Sequence, residues 1–200
     1  MELKFRDLRA DEIDCRIAMV KQNGLSLLLY KDARCDMNIL DETVGAFNWQ
    51  RSHTRDNANC IVSIYDEDKK QWISKEDTGT ESNTEKEKGL ASDSFKRACF
   101  NWGIGRELYT APFIWVDASG CNLTNGKCYD KFAVADIKIE DKKIVYLKIV
   151  NTSKKGAVVF ETGKSIKATA TTTATPKAQP KQEVNSTIAD ALGGLPFDIM

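Results

Sequence analysis

Two hundred residues with 42% hydrophobic and 29% charged content fit one domain with a real core and some tail to spare. Lysine plus arginine and aspartate plus glutamate stand at 29 each, so the formal net charge is zero. That excludes a histone-like attraction by global field, and any affinity for a polyanion must come from a local cluster of cations.

The amino-terminal run Met1-Glu2-Leu3-Lys4-Phe5-Arg6-Asp7 is charged and lacks the apolar core of a signal peptide, and no later segment approaches a membrane span. A cytoplasmic protein is the expectation. The six cysteines (Cys15, Cys35, Cys60, Cys99, Cys121, Cys128) follow no framework spacing and read as reduced thiols. Only Cys121 and Cys128 lie close together and His53 is the sole histidine, which is too sparse a ligand set for zinc.

In chain order, Ile13, Ile17 and Val20 recur at helical spacing between Asp11 and Gln22, with Gly24 placed as a stop, and predict a first helix. Leu25 to Tyr30 is a short, nearly continuous apolar run that predicts an inner strand. Met37, Leu40 and Val44 share a face ahead of Gly45, predicting a short helix from Met37 to Val44.

Cys60 to Tyr65 and Gln71 to Ser74 flank the polar Asp66-Glu67-Asp68-Lys69-Lys70, the pattern of a hairpin that would enlarge the same sheet. Thr84 to Glu87 reads as a capping box opening a helix whose apolar stripe is Ala91, Phe95, Ala98 and Trp102, ended by Gly103 and Gly105. A second hairpin is predicted from Phe132 to Val150, and Gly156 to Phe160 predicts one more short strand. From about Ala168 to Ser186 the chain is rich in Thr, Ala, Pro, Lys and Gln, too poor in large apolar groups to offset the entropy of ordering. Residues 188–200 regain apolar character, as suits docking on a partner.

The most specific stretch runs from Lys88 to Tyr109. With Phe95 and Trp102 buried, Lys96 and Arg97 fall about 100° and 200° around the helix from Phe95, so at least one points off the core. On composition alone such a pair is a solvated helix face. The Asp-Ser-Phe-Lys-Arg-Ala run at 93–98, its acid-and-lysine lead-in, the pair Trp102-Gly103 and the closing Leu108-Tyr109 resemble the signature helix of the single-strand-annealing proteins of phages and prophages, the Sak type, relatives of the eukaryotic Rad-fifty-two repair proteins. A second block, Ile39 to Gln50 followed by the hairpin from Cys60 to Glu76, resembles that family's helix, Gly-x-x-x-Trp corner and β-hairpin. The likeness spans roughly residues 10 to 115.

The resemblance implies rings or helical filaments in which each subunit adds a sheet and a helix to a continuous basic groove that holds single-stranded DNA with its bases outward. It places Lys96 on the family's groove lysine and Arg97 on the arginine beside it. Arg34 falls near another groove arginine after a one-residue shift, and Phe100 stands where the eukaryotic helix carries a further base. Independently of the resemblance, Arg51 and Arg55 follow Trp49 in the densest basic and aromatic patch, and suit phosphate contact better than Trp49, which reads as core.

Two enzyme signals fail. Gly163-Lys164-Ser165 resembles the end of a phosphate loop, but the upstream glycine position holds Val158 and no helix follows. Asp66, Glu67, Asp68, Asp77 and Glu81 suggest a metal-dependent nuclease, yet the first three sit in a hairpin turn, where acids commonly serve solubility.

The expectation is therefore an α+β fold, an antiparallel sheet with hairpins packed on a long helix in the manner of the annealing proteins, with a disordered C-terminal tail. Residues 1–166 would form the annealing, DNA-binding and oligomerisation domain, 167–187 a flexible linker and 188–200 a docking tail. The expected function is annealing of complementary strands in recombination and repair in a bacterial host cell, with no cofactor, metal or covalent chemistry. Partners would be single-stranded DNA, further copies of the chain and, through the tail, a single-stranded-DNA-binding protein or an exonuclease. The alternative is a non-enzymatic adaptor working mainly through that tail, where Leu195-Pro196-Phe197-Asp198 loosely resembles the Pro-Phe tip of single-stranded-DNA-binding proteins.

Overall fold

A computed structural model describes residues 3–80 and 86–163, with side chains in its second helix from Gly89 onward. The capping box at Thr84, the linker and the C-terminal tail lie outside the described residues. The described residues fall within one compact unit.

The described residues are mixed α+β, with two helices and antiparallel sheets. After a 3-10 turn at Ala10–Glu12, β1 (Asp14–Lys21) and β2 (Gly24–Tyr30) form a hairpin. The predicted first helix is thus a turn and a strand. Ile13, Ile17 and Val20 step by four and three because β1 carries a bulge between Ile17 and Met19. The extra residue turns what would be a step of two into a step of three, and the inward positions then imitate a helix. At Gly24, with φ of 153°, a Cβ would come within 2.8 Å of the Trp115 ring, so only glycine fits there.

Helix α1 (Ala33–Val44) begins a turn earlier than its apolar face suggested, because Asp32 caps it by accepting a bond from Cys35 N at 3.0 Å. It ends at Gly45 with φ of 83°. There follow β3 (Trp49–Thr54), β4 (Asn59–Asp66), β5 (Gln71–Thr78) and α2 (Lys86–Trp102). β6 (Ile114–Asp117), the two-residue strands β7 (Leu123–Thr124) and β8 (Lys127–Cys128), β9 (Phe132–Glu140), β10 (Lys143–Asn151) and β11 (Ala157–Gly163) complete the described strands.

Two main sheets form where one was expected. The predicted hairpin β4–β5 does not join β2; it pairs with β3 in a separate three-stranded sheet of order β3-β4-β5. The larger sheet runs β11-β10-β9-β1-β2-β6. Its core face carries Leu25, Leu27, Ile114, Val116, Leu147 and Ile149, each no more than 3% exposed. Helix α2 lies across β4 and β5, with α1 beside it and touching β3. No helix among the described residues is long and apolar enough to cross a membrane.

Candidate nucleic-acid interface

The strand registers explain what faces α2. Directly opposed residues of an antiparallel pair share a face, and the pairings line up three cross-strand rows: Trp49–Ile64–Ile73, Arg51–Val62–Lys75 and His53–Cys60–Asp77. Helix α2 rests on this face. Phe95, fully buried, stacks on Trp49 with ring centroids 6.2 Å apart. The Trp102 indole N–H donates to Val62 O at 3.0 Å, and the Asn101 amide donates to Asp77 Oδ2 at 3.3 Å.

The middle row brings two cations against the helix. The Arg51 guanidinium lies 4.7 Å from the centre of the Phe95 ring, and the Lys75 ammonium 4.5 Å from that of Trp102. Lys75 also donates to Asn101 O at 2.7 Å, while Arg106 donates to Phe100 O at 2.6 Å and Asn101 O at 2.9 Å. Both cations therefore bond carbonyls at the C-terminal end of α2, where its dipole favours positive charge, and Phe100 O also accepts from Gly103 N at 3.0 Å. Neither was singled out in the sequence. The alternation of residues 71–78 puts Lys75 on the face of Ile73, a signal that was available, whereas nothing local marked Arg106.

Of the five candidate residues, three gather around α2. Arg51 is placed as above. Lys96 lies on the flank turned to α1, close enough for its charge to act on Asp36. Arg97 lies on the opposite flank, its Nε 3.6 Å from Asp77 Oδ1 on β5. Lys96 and Arg97 thus point to different sides of the helix and do not form one cationic spot.

Arg55 stands at the tip of the β3–β4 turn, where Arg55, Asp56 and Asn57 all have positive φ, at 50°, 51° and 69°. Such a left-handed run of non-glycine residues is costly and needs support. Ser94, buried on α2, supplies it by donating to Asn57 O at 3.0 Å. The turn is thereby tied to the helix that carries Lys96 and Arg97. Arg34 stands apart. Its side chain is 82% exposed and pairs at 2.7 Å with Asp32, and among the described residues no contact ties it to α2 or to the three-stranded sheet.

Beneath the interface, a buried ion pair ties the start of α1 to the segment that leads into it, and its lysine packs on α2. Lys31 and Asp36 bond to each other with side chains 1% and 0% exposed. Lys31 also lies 4.7 Å from the centre of the Phe100 ring, and a Cβ at Gly105 would collide with its methylene chain. Burial pushes the Asp36 carboxyl up to about 6, against the opposing pull of Lys31 and Lys96. Burial likewise raises the neighbouring Cys99 thiol far above its ordinary range, so it stays protonated. Phe100 serves here as the wall of a lysine site.

The acids that suggested a nuclease do something simpler. Asp66 Oδ1 accepts from Asp68 N at 3.0 Å and from Lys69 N at 3.1 Å, building the β4–β5 turn. Asp77 is bound up with Arg97 and Asn101, and Glu81 lies outside the described residues. Among the described residues no three metal-ligating side chains come together. Next to the interface lies a cleft of about 450 Å³, floored by Ile64 and Ile73 and walled by Val44, Lys75 and Trp102.

Compared with known proteins, the chain matches no family model, no curated protein and no solved structure.

Proposed function

We propose that this chain binds single-stranded DNA and anneals complementary strands without nucleotide, metal or covalent chemistry, working as a homo-oligomeric ring or filament in the manner of the annealing proteins its α2 sequence resembles. One observation carries the reading: α2 lies on the β3-β4-β5 sheet with Arg51 and Lys75 packed on its Phe95 and Trp102, Lys96 and Arg97 on its two flanks, and Arg55 at the turn it anchors. Cations spread along one element suit a polyanion that passes over it, and a neutral chain can bind in this way because affinity follows the phosphates contacted locally.

On this reading the mechanism is concentration and alignment. Neutralising phosphates lowers the repulsion between strands, and a held backbone presents bases for correct pairing to propagate. Aromatic stacking is a lesser part, since Phe95 is buried and Trp49 is turned inward upon it.

The test is a fluorescence annealing assay with complementary oligonucleotides and no ATP, alongside light scattering with and without single-stranded DNA. Accelerated pairing by a multimer is the expected result. A persistent monomer that leaves the annealing rate unchanged would overturn the proposal.

A further inference from the structure

We infer that Asp77 is an internal competitor for the phosphate-binding capacity of Arg97, occupying the guanidinium in the free protein and yielding it to a DNA strand. This deepens the function proposed above and rests on it.

The geometry of the pair is loose where the chain elsewhere builds tight ones. Arg6 holds Glu12 at 2.7 Å and Glu42 at 2.6 Å, the short distances of charge-assisted hydrogen bonds. Arg97 Nε and Asp77 Oδ1 stand 3.6 Å apart, beyond hydrogen-bond range, and Arg97 Nε has no hydrogen-bond partner among the described residues. The Asp77 carboxylate is meanwhile held by others. Its Oδ1 accepts from Thr78 N at 2.7 Å and its Oδ2 from Asn101 Nδ2 at 3.3 Å. Asp77 would therefore keep its place and its partners if Arg97 turned away.

Arg97 Nε is itself buried, but the rest of the side chain is accessible to a ligand. Its side chain is 40% exposed and that of Asp77 29%. A phosphate arriving from solvent can offer the paired oxygens that a guanidinium fork fits, which Asp77 at its present distance does not. An exposed ion pair of this kind is weak enough to be exchanged. The same register that puts Arg51 and Lys75 across one row puts the acid in the next row, His53–Cys60–Asp77, beneath the Arg97 flank of α2. The arrangement keeps that flank partly neutral until a strand is present, and it makes release easier once pairing is complete.

The experiment is anisotropy of a labelled oligothymidine titrated with the full chain over a range of salt. The proteins compared are the wild type, Asp77→Asn, Asp77→Ser, Arg97→Ala and the double variant Asp77→Asn/Arg97→Ala. Asp77→Asn keeps the side chain's shape and an oxygen for Thr78 N, and Asp77→Ser serves as the second removal of charge if the amide perturbs Asn101. Either should bind about two- to five-fold tighter than wild type, with the salt slope steeper by about 0.7, the value of one added phosphate contact on a single strand. In the Arg97→Ala background the same substitution should give a smaller gain and no added slope. Equal gains in both backgrounds, or no gain from either variant, would overturn the inference. If the wild type failed to bind the oligonucleotide, the proposed function would fall with it. If it bound in a manner sensitive to Lys96 and Arg97 but indifferent to Asp77, only the inference would fall.

Discussion

Lys31 and Asp36 form an ion pair from which solvent is excluded on both sides, at the joint between α1 and α2. Breaking such a pair by removing one partner leaves an uncompensated buried charge, at a cost of about 3–5 kcal/mol, whereas replacing both by apolar groups of similar volume is often neutral. Asp36→Leu alone should therefore lower the urea midpoint sharply, and Lys31→Met with Asp36→Leu should recover much of the loss. Equal destabilisation by the single and double variants would show that the unpaired charge is not what the single variant suffers from.

The same carboxyl sets a pH dependence. Its folded-state value is raised from the ordinary 3.8 to about 6, so folding takes up a proton at intermediate pH. The contribution of this group to stability is therefore fully present below about pH 4 and is lost as pH rises through about 6. Compared with Asp36→Asn, the wild type should lose stability between pH 4 and 6 in a way the variant does not. The check is urea unfolding at half-unit steps of pH.

Replacing Lys96 and Arg97 together with alanine should weaken single-stranded DNA binding and reduce the salt slope by about 1.4, two contacts' worth. Since both side chains leave the helix away from the buried stripe, the melting temperature should change little. Arg34→Ala should leave affinity and slope as they are, because Arg34 pairs with the cap of α1 far out in solvent. A reversed result, with Arg34 mattering and the α2 pair indifferent, would move the interface to the start of α1.

Gly79 closes β5 against α2. A Cβ there would lie 2.5 Å from Ser94 N and 2.8 Å from Leu90 O, both backbone atoms of the helix. Gly79→Ala should cost about 1–3 kcal/mol as an overpacking change. It should also weaken DNA binding beyond that, since Ser94 ties down the turn bearing Arg55. Urea unfolding and the anisotropy titration would separate the two effects.

Deleting the residues after Ile166 separates annealing from adaptor function. On the proposed function the shortened chain still accelerates pairing of complementary oligonucleotides. Loss of that activity with the fold intact on circular dichroism would favour the adaptor.

What could be read from the sequence depended on whether burial and period agreed. The stripe Ala91, Phe95, Ala98 and Trp102 announced α2 because the residues turned to the sheet are apolar and 3.6 describes their spacing. β4, β9 and β10 were legible for the matching reason, with apolar runs broken by charged turns. β3 was not, because the side chains it turns toward α2 are Trp49, Arg51 and His53, two of them polar. A strand whose inner face carries cations over aromatic rings has no apolar alternation to detect. Among the candidate residues, Arg51 and Arg55 came from composition, and Lys96 and Arg97 from resemblance. The divergence of Lys96 and Arg97 was legible in the helical period, whereas the hold of Asp77 on one of them follows from strand register, which no local pattern encodes.

The bulge in β1 has a further consequence for how this chain can vary in length. Ala18 is the surplus residue: Ile17 pairs with Leu27 and Met19 with Ser26, leaving Ala18 without a register partner. Removing it would set Ile17 and Val20 two positions apart and still facing inward, so β1 should tolerate that deletion with its core contacts intact. Deleting Arg16 instead would reverse the facing of every side chain on one side of the cut, including Cys15 or Ile17. One strand thus holds a position where the sequence can shorten without harm and, two residues away, one where it cannot.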